Sequence, residues 1–203
     1  MVDISEANKL LKELKKKALE EKIPIMSDKG INYLTNFIIK NKIDNVLEIG
    51  TAVGYSAISM AIASPKLTIT SIERDEQRYL EAVKNVKAFG LEDRITLIFK
   101  DALEVNLDSE YDLIFIDAAK GQNINFFEKF SRYLTEDGYI ITDNMKFHGY
   151  VDMAESDIKS KNLRSLVRKI KEYHEYLKDN EEYVTEFVEV GDGLAVSTPK
   201  KDY

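Results

Sequence analysis

The sequence contains no cysteine, which excludes disulfide bonds, thiolate metal sites and cysteine nucleophiles. It also lacks any apolar run close to the ~20 residues that a membrane-spanning helix needs. The first residues, Met-Val-Asp-Ile-Ser-Glu, have neither the basic nor the apolar region of a signal peptide. We therefore expect a cytoplasmic protein without a membrane partner.

The chain has fewer basic than acidic residues, 29 against 36. It also lacks segments that resemble linkers. The formal net charge is −7 and the pI is about 5.1, which counts against a general nucleic-acid binder because such proteins usually carry a basic surface. A local basic patch is still compatible with this balance. The 203 residues contain no internal repeat, low-complexity stretch or Pro/Gly-rich linker. The sequence therefore predicts one domain over 1–203, with N-terminal helices in 1–40 and a Rossmann-like core in 45–203.

Two helices are predicted before this core. Residues 3–20 place alanine and leucine at helical spacing, while the lysines occupy mostly the other faces. Asp3 with Glu6 fits a capping box at the start, and a proline ends this helix before a second one at about 28–40. The apolar stripe of the first helix has few evident partners within the chain, so we expect a homodimer to bury it.

From residue 45 onward, short apolar runs alternate with helical stretches, which predicts a doubly wound α/β sheet with right-handed crossovers. Near the C-terminus, 183–190 and 194–198 flank Gly-Asp-Gly and predict an antiparallel β-hairpin. A mostly parallel seven-stranded sheet ending in such a hairpin is the class I S-adenosylmethionine-dependent methyltransferase fold. The predicted strands are 45–49, 67–72, 95–99, 112–117 and 139–142, and the predicted helices are 56–63, 75–89, 124–133 and 155–178.

A nucleotide-type binding turn follows the first predicted strand, in the segment Glu-Ile-Gly-Thr-Ala-Val-Gly-Tyr-Ser at 48–56. Gly50 and Gly54 allow backbone angles and a close approach that a Cβ would prevent. The G-x-G-x-x-G pattern of dinucleotide loops fails here, because alanine and tyrosine stand at two of its glycine positions. The turn therefore favours a cofactor without a pyrophosphate.

Residues at the ends of the next two strands complete this cofactor region. Glu73 closes the second strand, where a carboxylate can accept hydrogen bonds from ribose hydroxyls. Asp101 and Ala102 follow the third strand, at the place where an adenine ring lies in a methyltransferase. The alternative is that Glu48 and Glu73 are only solvated acids at strand ends.

Asp117 and Asp143 each end an apolar strand, and Asn144 follows at once. The carboxyl ends of parallel strands meet at one edge of an open α/β sheet, where ligands bind, so we expect these side chains to lie together. Two carboxylates and an amide, without histidine or cysteine, suit Mg²⁺, Mn²⁺ or Ca²⁺ rather than Zn²⁺. Alternatively, Asp143-Asn144 is only a turn after a strand.

Four segments are distinctive: Phe-Ile-Asp-Ala-Ala-Lys-Gly-Gln at 115–122, Ile-Thr-Asp-Asn at 141–144, Leu-Arg-Ser-Leu-Val-Arg-Lys-Ile at 163–170 and Val-Gly-Asp-Gly-Leu-Ala-Val-Ser-Thr at 190–198. With them the chain, from about Ile23 to Thr198, resembles the cation-dependent O-methyltransferase family of catechol and caffeoyl-CoA methyltransferases. The segments look most like the bacterial tRNA 5-hydroxyuridine methyltransferase branch, which makes 5-methoxyuridine at the wobble position. Small-molecule members typically have Asp-Ala-Asp-Lys at the first segment and Trp after the Asp-Asn pair, where this sequence has Ala119 and Phe147.

The resemblance implies roles for these residues. Asp117, Asp143 and Asn144 would hold Mg²⁺, which chelates the substrate hydroxyl and its neighbouring carbonyl oxygen. Lys120 is similar to the family's candidate general base; the alternative is a solvent-facing lysine at a helix start. Met26 would cover the sulfonium or would be a plain core methionine. The positions that align with S-adenosylmethionine contacts are Met26, Glu48, Gly50, Ser56, Glu73, Asp101, Ala102 and Asp117.

Basic residues crowd the segment after the metal site, where Arg164 and Arg168 share one helical face. Phosphate contact would need such a patch, and Phe147 and His148 could stack a splayed base of a tRNA anticodon loop. The alternative is that this charged face is merely solvated. The second histidine, His174, is expected at the surface.

Three functions compete. The leading hypothesis is a Mg²⁺- and S-adenosylmethionine-dependent methyltransferase that acts on 5-hydroxyuridine at the tRNA wobble position. The second is an O-methyltransferase of small catechol-like or caffeoyl-CoA-like substrates, which would use the same cofactor and metal residues. The third is a non-catalytic adenosylmethionine-binding module, and the intact Asp117, Lys120 and Asp143 argue against it.

Overall fold

A single seven-stranded sheet forms the centre of the molecule in the computed structural model, which describes residues 3–201. Its strands are β1 (Asn45–Ile49), β2 (Thr68–Glu73), β3 (Ile95–Phe99), β4 (Tyr111–Ile116), β5 (Leu134–Asp143), β6 (Tyr183–Val188) and β7 (Leu194–Pro199). Their order is β3-β2-β1-β4-β5-β7-β6. Strands β1 to β5 run parallel, and β7 lies antiparallel between β5 and β6. The predicted parallel sheet with a C-terminal hairpin is confirmed.

Helices cover both faces of this sheet, as parallel strands require. They are α1 (Ile4–Glu20), α2 (Asp28–Lys40), α3 (Tyr55–Ala63), α4 (Glu76–Ala88), α5 (Asn123–Phe130) and α6 (Lys161–Lys178). Successive strand residues point to opposite faces. Val46 of β1 therefore joins one hydrophobic cluster with α1, α2 and α3, while Leu47 joins a second cluster with α5 and α6.

The functional edge of the sheet is set by its topology. Strand β1 pairs with β2 on one side and with β4 on the other, so the strand order reverses between β1 and β4. Ligands of open α/β sheets bind at the carboxyl ends of the strands next to such a switch point. The turn after β1 and the segment after β4 both lie at this place.

The starts of two elements differ most from the sequence prediction. Strand β5 begins at Leu134 rather than at 139, and its polar first half, Thr-Glu-Asp-Gly, hid this extension. It pairs with β4 across a register shift. Helix α6 begins at Lys161 rather than at 155, because the Ser160 side chain caps it by accepting from the Leu163 amide. The residues before it, Glu155–Asp157, form a separate 3₁₀ turn.

Helix α1 corrects one expectation. Its apolar stripe does have partners within the chain, because Ala7, Leu14 and Ala18 are buried in the cluster that contains α2 and α3. Asp3 caps its start by accepting from the amides of Ser5 and Glu6. The sequence missed this packing because amphipathic spacing shows which face is buried and not what covers it. Over residues 3–201, the chain has no helix that is both long and apolar enough to cross a membrane.

Candidate active site

A cleft of about 360 Å³ opens at the carboxyl edge of the sheet. This volume lies at the lower end of the range for small-molecule sites. The cleft is lined by segments 24–26, 49–52, 55–56, 72–74, 100–102 and 117–120, together with Phe126, Asn144, Phe147 and His148. Except for Glu48, every residue predicted to contact the cofactor therefore lines one cavity. That cavity also includes Asp117, Lys120 and Asn144.

Gly50 joins the two halves of this cleft. Its backbone has φ +102°, and a Cβ there would overlap the backbone carbonyl of Asp117. The Asp117 amide in turn donates to the Ile49 carbonyl at 2.9 Å. Only glycine combines this backbone angle with this contact, so the turn after β1 lies directly against the start of the acidic segment.

Glu48 lies behind the cofactor turn rather than on the cleft wall. It is fully buried in β1, where its carboxylate accepts hydrogen bonds from Ser56 and Ser71. Burial raises the pKa of Glu48 to about 8, although the two hydroxyl donors act in the opposite direction. The prediction that Glu48 contacts a cofactor is therefore not supported by its position. Ser56 lines the cleft at the start of α3, so Glu48 orients a residue that a ligand can reach.

Glu73 ties the cofactor turn to the end of β2. One carboxylate oxygen accepts from the Ala52 amide at 2.8 Å, and the other accepts from the Arg74 and Asp75 amides. Asp101 faces it across the cleft region and approaches Arg74 at 3.4 Å. Both acids line the cavity, and Glu73 is more than a solvated acid at a strand end because it accepts three backbone hydrogen bonds.

An acidic pair, Asp117 and Asp143, lies at the other half of the cleft: Asp117 lines the cleft, whereas Asp143 is buried behind its wall. Asp117 forms an ion pair with Lys120 at 2.7 Å, and the Lys120 side chain is only 9% exposed. Lys120 is therefore not the solvent-facing lysine of the alternative interpretation. Asp143 is 5% exposed at the end of β5, and its pKa is raised by burial first and by the nearby Asp117 carboxylate second.

The donor set at this pair fits a hard divalent cation. Asn144 follows in the left-handed region at φ +66°, which is unusual for a residue other than glycine and favours asparagine over most alternatives. Within residues 3–201, no three His, Cys, Asp or Glu side chains come together as metal ligands. A cation site here would thus need the Asn144 amide as its third ligand, and two carboxylates plus an amide suit Mg²⁺ better than Zn²⁺.

Residues 145–150, here called the mouth loop, form the rim beside this pair. Phe147 and His148 both have left-handed backbone angles, and their rings lie 5.5 Å apart. Phe147 is half-buried, whereas the His148 side chain is exposed to solvent. His174 supports the loop from beneath, since its Nε2 lies 2.8 Å from the Met145 carbonyl and its ring stacks on Phe187. His174 is therefore half-buried rather than a freely exposed surface residue.

The basic helix α6 borders the same rim, but its arginines already have partners. Arg164 donates to the Ile158 carbonyl at 2.8 Å, and Arg168 pairs with Glu155. Lys169 lies against the turn after Lys120, where a Cβ on Gly121 would come within 3.5 Å of its Nζ. Among the described residues, Lys169 has no ion-pair partner. Of these α6 cations, Lys169 lies against the segment that follows Lys120, whereas Arg74, Lys100 and Lys120 themselves line the cleft.

The order of the strands and the position of this cleft define a class I S-adenosylmethionine-dependent methyltransferase fold. Its acidic pair lies beside the cofactor turn. A family model described as O-methyltransferase matches residues 2–200. The chain therefore belongs to the O-methyltransferase family.

Relatives and solved structures agree with this assignment. The chain is similar to the caffeoyl-CoA O-methyltransferase of Stellaria longipes, with 28% identity over 91% of this chain and 80% of that protein. It is also similar to a solved Staphylococcus aureus protein that is provisionally described as a caffeoyl-CoA O-methyltransferase. The identity there is 36% over 94% of this chain and 92% of the other, with a TM-score of 0.89. A Podospora anserina methyltransferase, at 20% identity and a TM-score of 0.84 over 98% and 89% of the chains, shares the fold.

Proposed function

We propose that this protein is a Mg²⁺- and S-adenosylmethionine-dependent O-methyltransferase that methylates 5-hydroxyuridine at the wobble position of tRNA. One observation carries the proposal: the cofactor turn lines the same cleft as Asp117 and Asn144, with the backbone of Gly50 against that of Asp117. A methyl donor held by the turn would therefore lie next to an acceptor oxygen held at the pair.

The cofactor half of the cleft offers contacts for each part of S-adenosylmethionine. Helix α3 begins at Gly54 without a side-chain cap, so the amides of its first turn, including that of Ser56, suit the carboxylate of the amino acid. Glu73 suits the ribose hydroxyls, and Asp101 with Ala102 suits the adenine. Met26, which is 4% exposed and lines the cleft, would cover the sulfonium.

The acidic half supplies the acceptor site. Asp117, Asp143 and Asn144 would hold the cation, which supplies Lewis-acid activation of the acceptor hydroxyl when bound. The transfer forms an O–CH₃ bond and breaks the S–CH₃ bond, so that the sulfonium becomes the thioether of S-adenosylhomocysteine. The walls of the cleft hold donor and acceptor in line, and this alignment contributes most of the rate.

Lys120 is the side chain placed to manage the proton of the acceptor hydroxyl. Its Nζ lies 2.7 Å from Asp117 Oδ1, where a positive charge would stabilise an acceptor oxyanion. To act as a general base, Lys120 would have to be a neutral amine that takes the hydroxyl proton. An acidic hydroxyl such as that of 5-hydroxyuridine needs little help from such a base.

Two features of the rim support a tRNA acceptor. Phe147 and His148 present aromatic rings at the entrance, as proteins that stack splayed bases of single-stranded loops do. Lys169 beside Gly121, and the exposed Lys159, Lys161 and Lys171, add positive charge next to this entrance. Arg164 and Arg168 contribute less than the sequence predicted, because both are already paired within the chain. A tRNA acceptor would place the enzyme in the cytoplasm.

The second candidate is a small catechol-like or caffeoyl-CoA-like acceptor. The similarity to the caffeoyl-CoA O-methyltransferase of Stellaria longipes favours it, and it would use the same cofactor and cation residues. The two proposals differ only in what occupies the cleft entrance.

Separate assays with the two kinds of acceptor distinguish the tRNA proposal from the small-molecule proposal. The purified enzyme is incubated with S-adenosylmethionine, Mg²⁺ and either tRNA from a strain lacking the modification or a catechol, and products are measured by nucleoside mass spectrometry and chromatography. We expect 5-methoxyuridine to form on the tRNA, and EDTA to stop the reaction. If the enzyme methylates the catechol efficiently and leaves the tRNA unmethylated, the small-molecule function is established instead.

Asp143→Asn provides the control for the cation site. The variant should retain the affinity for S-adenosylhomocysteine, because Asp143 does not line the cofactor half, and should lose at least about 100-fold in turnover. Wild-type turnover in this variant, or full activity in EDTA, would remove the cation from the proposed mechanism.

We also propose that the enzyme is a homodimer. Leu19 of α1 and Ile39 of α2 remain 58% and 54% exposed at the helix C-termini, although the other described apolar residues of these two helices are buried or half-buried. Sedimentation velocity should give twice the 23.3 kDa chain mass, and Leu19→Glu should shift the distribution toward monomer. A monomeric wild-type protein at micromolar concentration would contradict this proposal.

A further inference from the structure

The turn of the C-terminal hairpin holds the mouth loop by its backbone. In residues 189–193, the carbonyls of Asp192 and Gly193 accept from the amides of Lys146 and Met145 at 2.8 and 3.0 Å. These bonds continue the pairing of β5 with β7 beyond the end of the sheet. The chain that leaves the acidic pair is therefore fixed at once to the hairpin turn.

The Asp192 side chain then fixes the next part of the loop. Its two carboxylate oxygens accept from the His148 amide at 2.6 and 2.9 Å, and one of them also lies 3.3 Å from the His148 Nδ1. Phe147 and His148 have φ values of +45° and +56°, a conformation that is unfavourable for residues other than glycine. A carboxylate hydrogen-bonded to the amide within this turn offsets that cost.

The hairpin turn packs between the start of α2 and the mouth loop. On one side, a Cβ on Gly191 would lie 2.6 Å from the Ser27 Oγ at the start of α2, directly after the cleft residue Met26. On the other side, a Cβ on Gly193 would lie 2.9 Å from the Lys146 side chain. The turn therefore has little freedom to move, and Asp192 projects from a fixed base.

We propose that Asp192 is a positioning residue: its carboxylate holds the mouth loop in the left-handed turn at the cleft entrance and thereby sets the affinity for the methyl acceptor. Asp192 does not line the cleft, so it acts through Phe147 and His148. The second part of this inference rests on the proposed function, because it requires an acceptor at that entrance.

Glu189 provides a matched control. It belongs to the same hairpin turn and pairs with Lys146 of the same loop at 2.8 Å. This contact joins two side chains, and Glu189 is 80% exposed, so Glu189→Gln removes one acidic charge while leaving the backbone support of the loop intact.

Amide exchange measured by NMR tests the positioning directly. In Asp192→Ala, the His148 amide should exchange at least roughly tenfold faster, as the loss of a charge-assisted hydrogen bond predicts. Asp192→Asn keeps one acceptor oxygen and should give an intermediate rate, and it replaces the alanine variant if that one does not fold. Glu189→Gln should match the wild-type protein. An unchanged His148 rate in the Asp192 variants overturns the proposal, whatever their activity.

Steady-state kinetics with tRNA from a strain lacking the modification test whether Asp192 sets the affinity for the methyl acceptor. In Asp192→Ala we expect KM for the acceptor to rise roughly tenfold, with kcat and the affinity for S-adenosylhomocysteine within about twofold of wild type. If the His148 amide of Asp192→Ala exchanges faster but KM for the acceptor is unchanged, the link between the loop and acceptor affinity is overturned. A parallel loss of kcat and cofactor affinity would also overturn it, because that pattern marks general destabilisation. If the wild-type enzyme methylates neither tRNA nor catechol, the proposed function fails, and the exchange experiment alone decides whether Asp192 holds the loop.

Discussion

At the scale of single residues, Gly50 connects the turn after β1 with the segment that begins at Asp117. It lets the turn after β1 lie against the Asp117 backbone, so a change at this position reaches both halves of the cleft. Gly149 is a useful comparison, because it also has a positive φ, +80°, but a Cβ there would meet nothing within 4 Å.

We expect Gly50→Ala to lower the free energy of unfolding by at least about 3 kcal/mol, since backbone strain and a backbone clash add together. Gly149→Ala carries only the strain and should cost about 1 kcal/mol. Urea denaturation followed by circular dichroism measures both. Equal losses in the two variants would show that the contact with Asp117 is unimportant.

Glu48 makes the stability depend on pH. Its pKa is about 8 in the folded protein, against 4.5 for an unperturbed glutamate. Between these values the folded chain keeps a proton that the unfolded chain has lost, so stability falls as the pH rises, with a slope of up to about 1.4 kcal/mol per pH unit. Below pH 4.5 and above about 8 this contribution is constant.

Glu48→Gln should remove this slope. Denaturation curves of both proteins at pH 5, 6, 7 and 8 should show the variant gaining stability relative to wild type by a few kcal/mol across the series. Parallel curves at all four pH values would mean that Glu48 is ionised in the folded protein throughout.

At the scale of elements, α1 shows how a helix can be predicted correctly and placed wrongly. Its spacing and its Asp3 cap are visible in the sequence, and both are confirmed. Its burial against α3 depends on where the later helices run, which a local pattern cannot reveal. The mouth loop is a second case, because its left-handed turn depends on Asp192, a residue more than forty positions away.

Two leucines of α1 test this packing. Leu14 is 7% exposed and Leu19 is 58% exposed. Leu14→Ala should therefore lower the free energy of unfolding by about 2–4 kcal/mol, whereas Leu19→Ala should change that of the monomer by no more than about 0.5 kcal/mol. Chemical denaturation of the two variants provides the comparison, and a neutral Leu14→Ala would show that α1 does not belong to the core.

At the scale of the whole molecule, the order β3-β2-β1-β4-β5-β7-β6 brings all parts of the site to one edge. The switch point between β1 and β4 opens the cleft, and the antiparallel β7 returns the hairpin turn to the same edge. A ligand bound in this cleft would touch segments from the loop between α1 and α2 to the mouth loop. Its binding should therefore stabilise the entire domain.

S-adenosylhomocysteine at 100 times its dissociation constant should stabilise the fold by about 2.7 kcal/mol. For a chain of this length that corresponds to a rise in Tm of roughly 5–10 °C, measurable by differential scanning calorimetry. Adenosine diphosphate at the same concentration should leave Tm nearly unchanged, because the turn favours a cofactor without a pyrophosphate. A larger shift with the diphosphate would contradict the assignment of the turn.

The sequence by itself determined the parallel sheet, the hairpin, the cofactor turn and the acidic ends of β4 and β5, because strand periodicity, glycines and strand-end acids are local signals. Only the tertiary structure decided that Glu48 lies behind the turn, that Arg164 and Arg168 are already paired, and that Asp192 and His174 support the mouth loop. Each of these depends on contacts between distant segments, and such contacts follow from the three-dimensional packing of the sheet and its helices rather than from any local pattern.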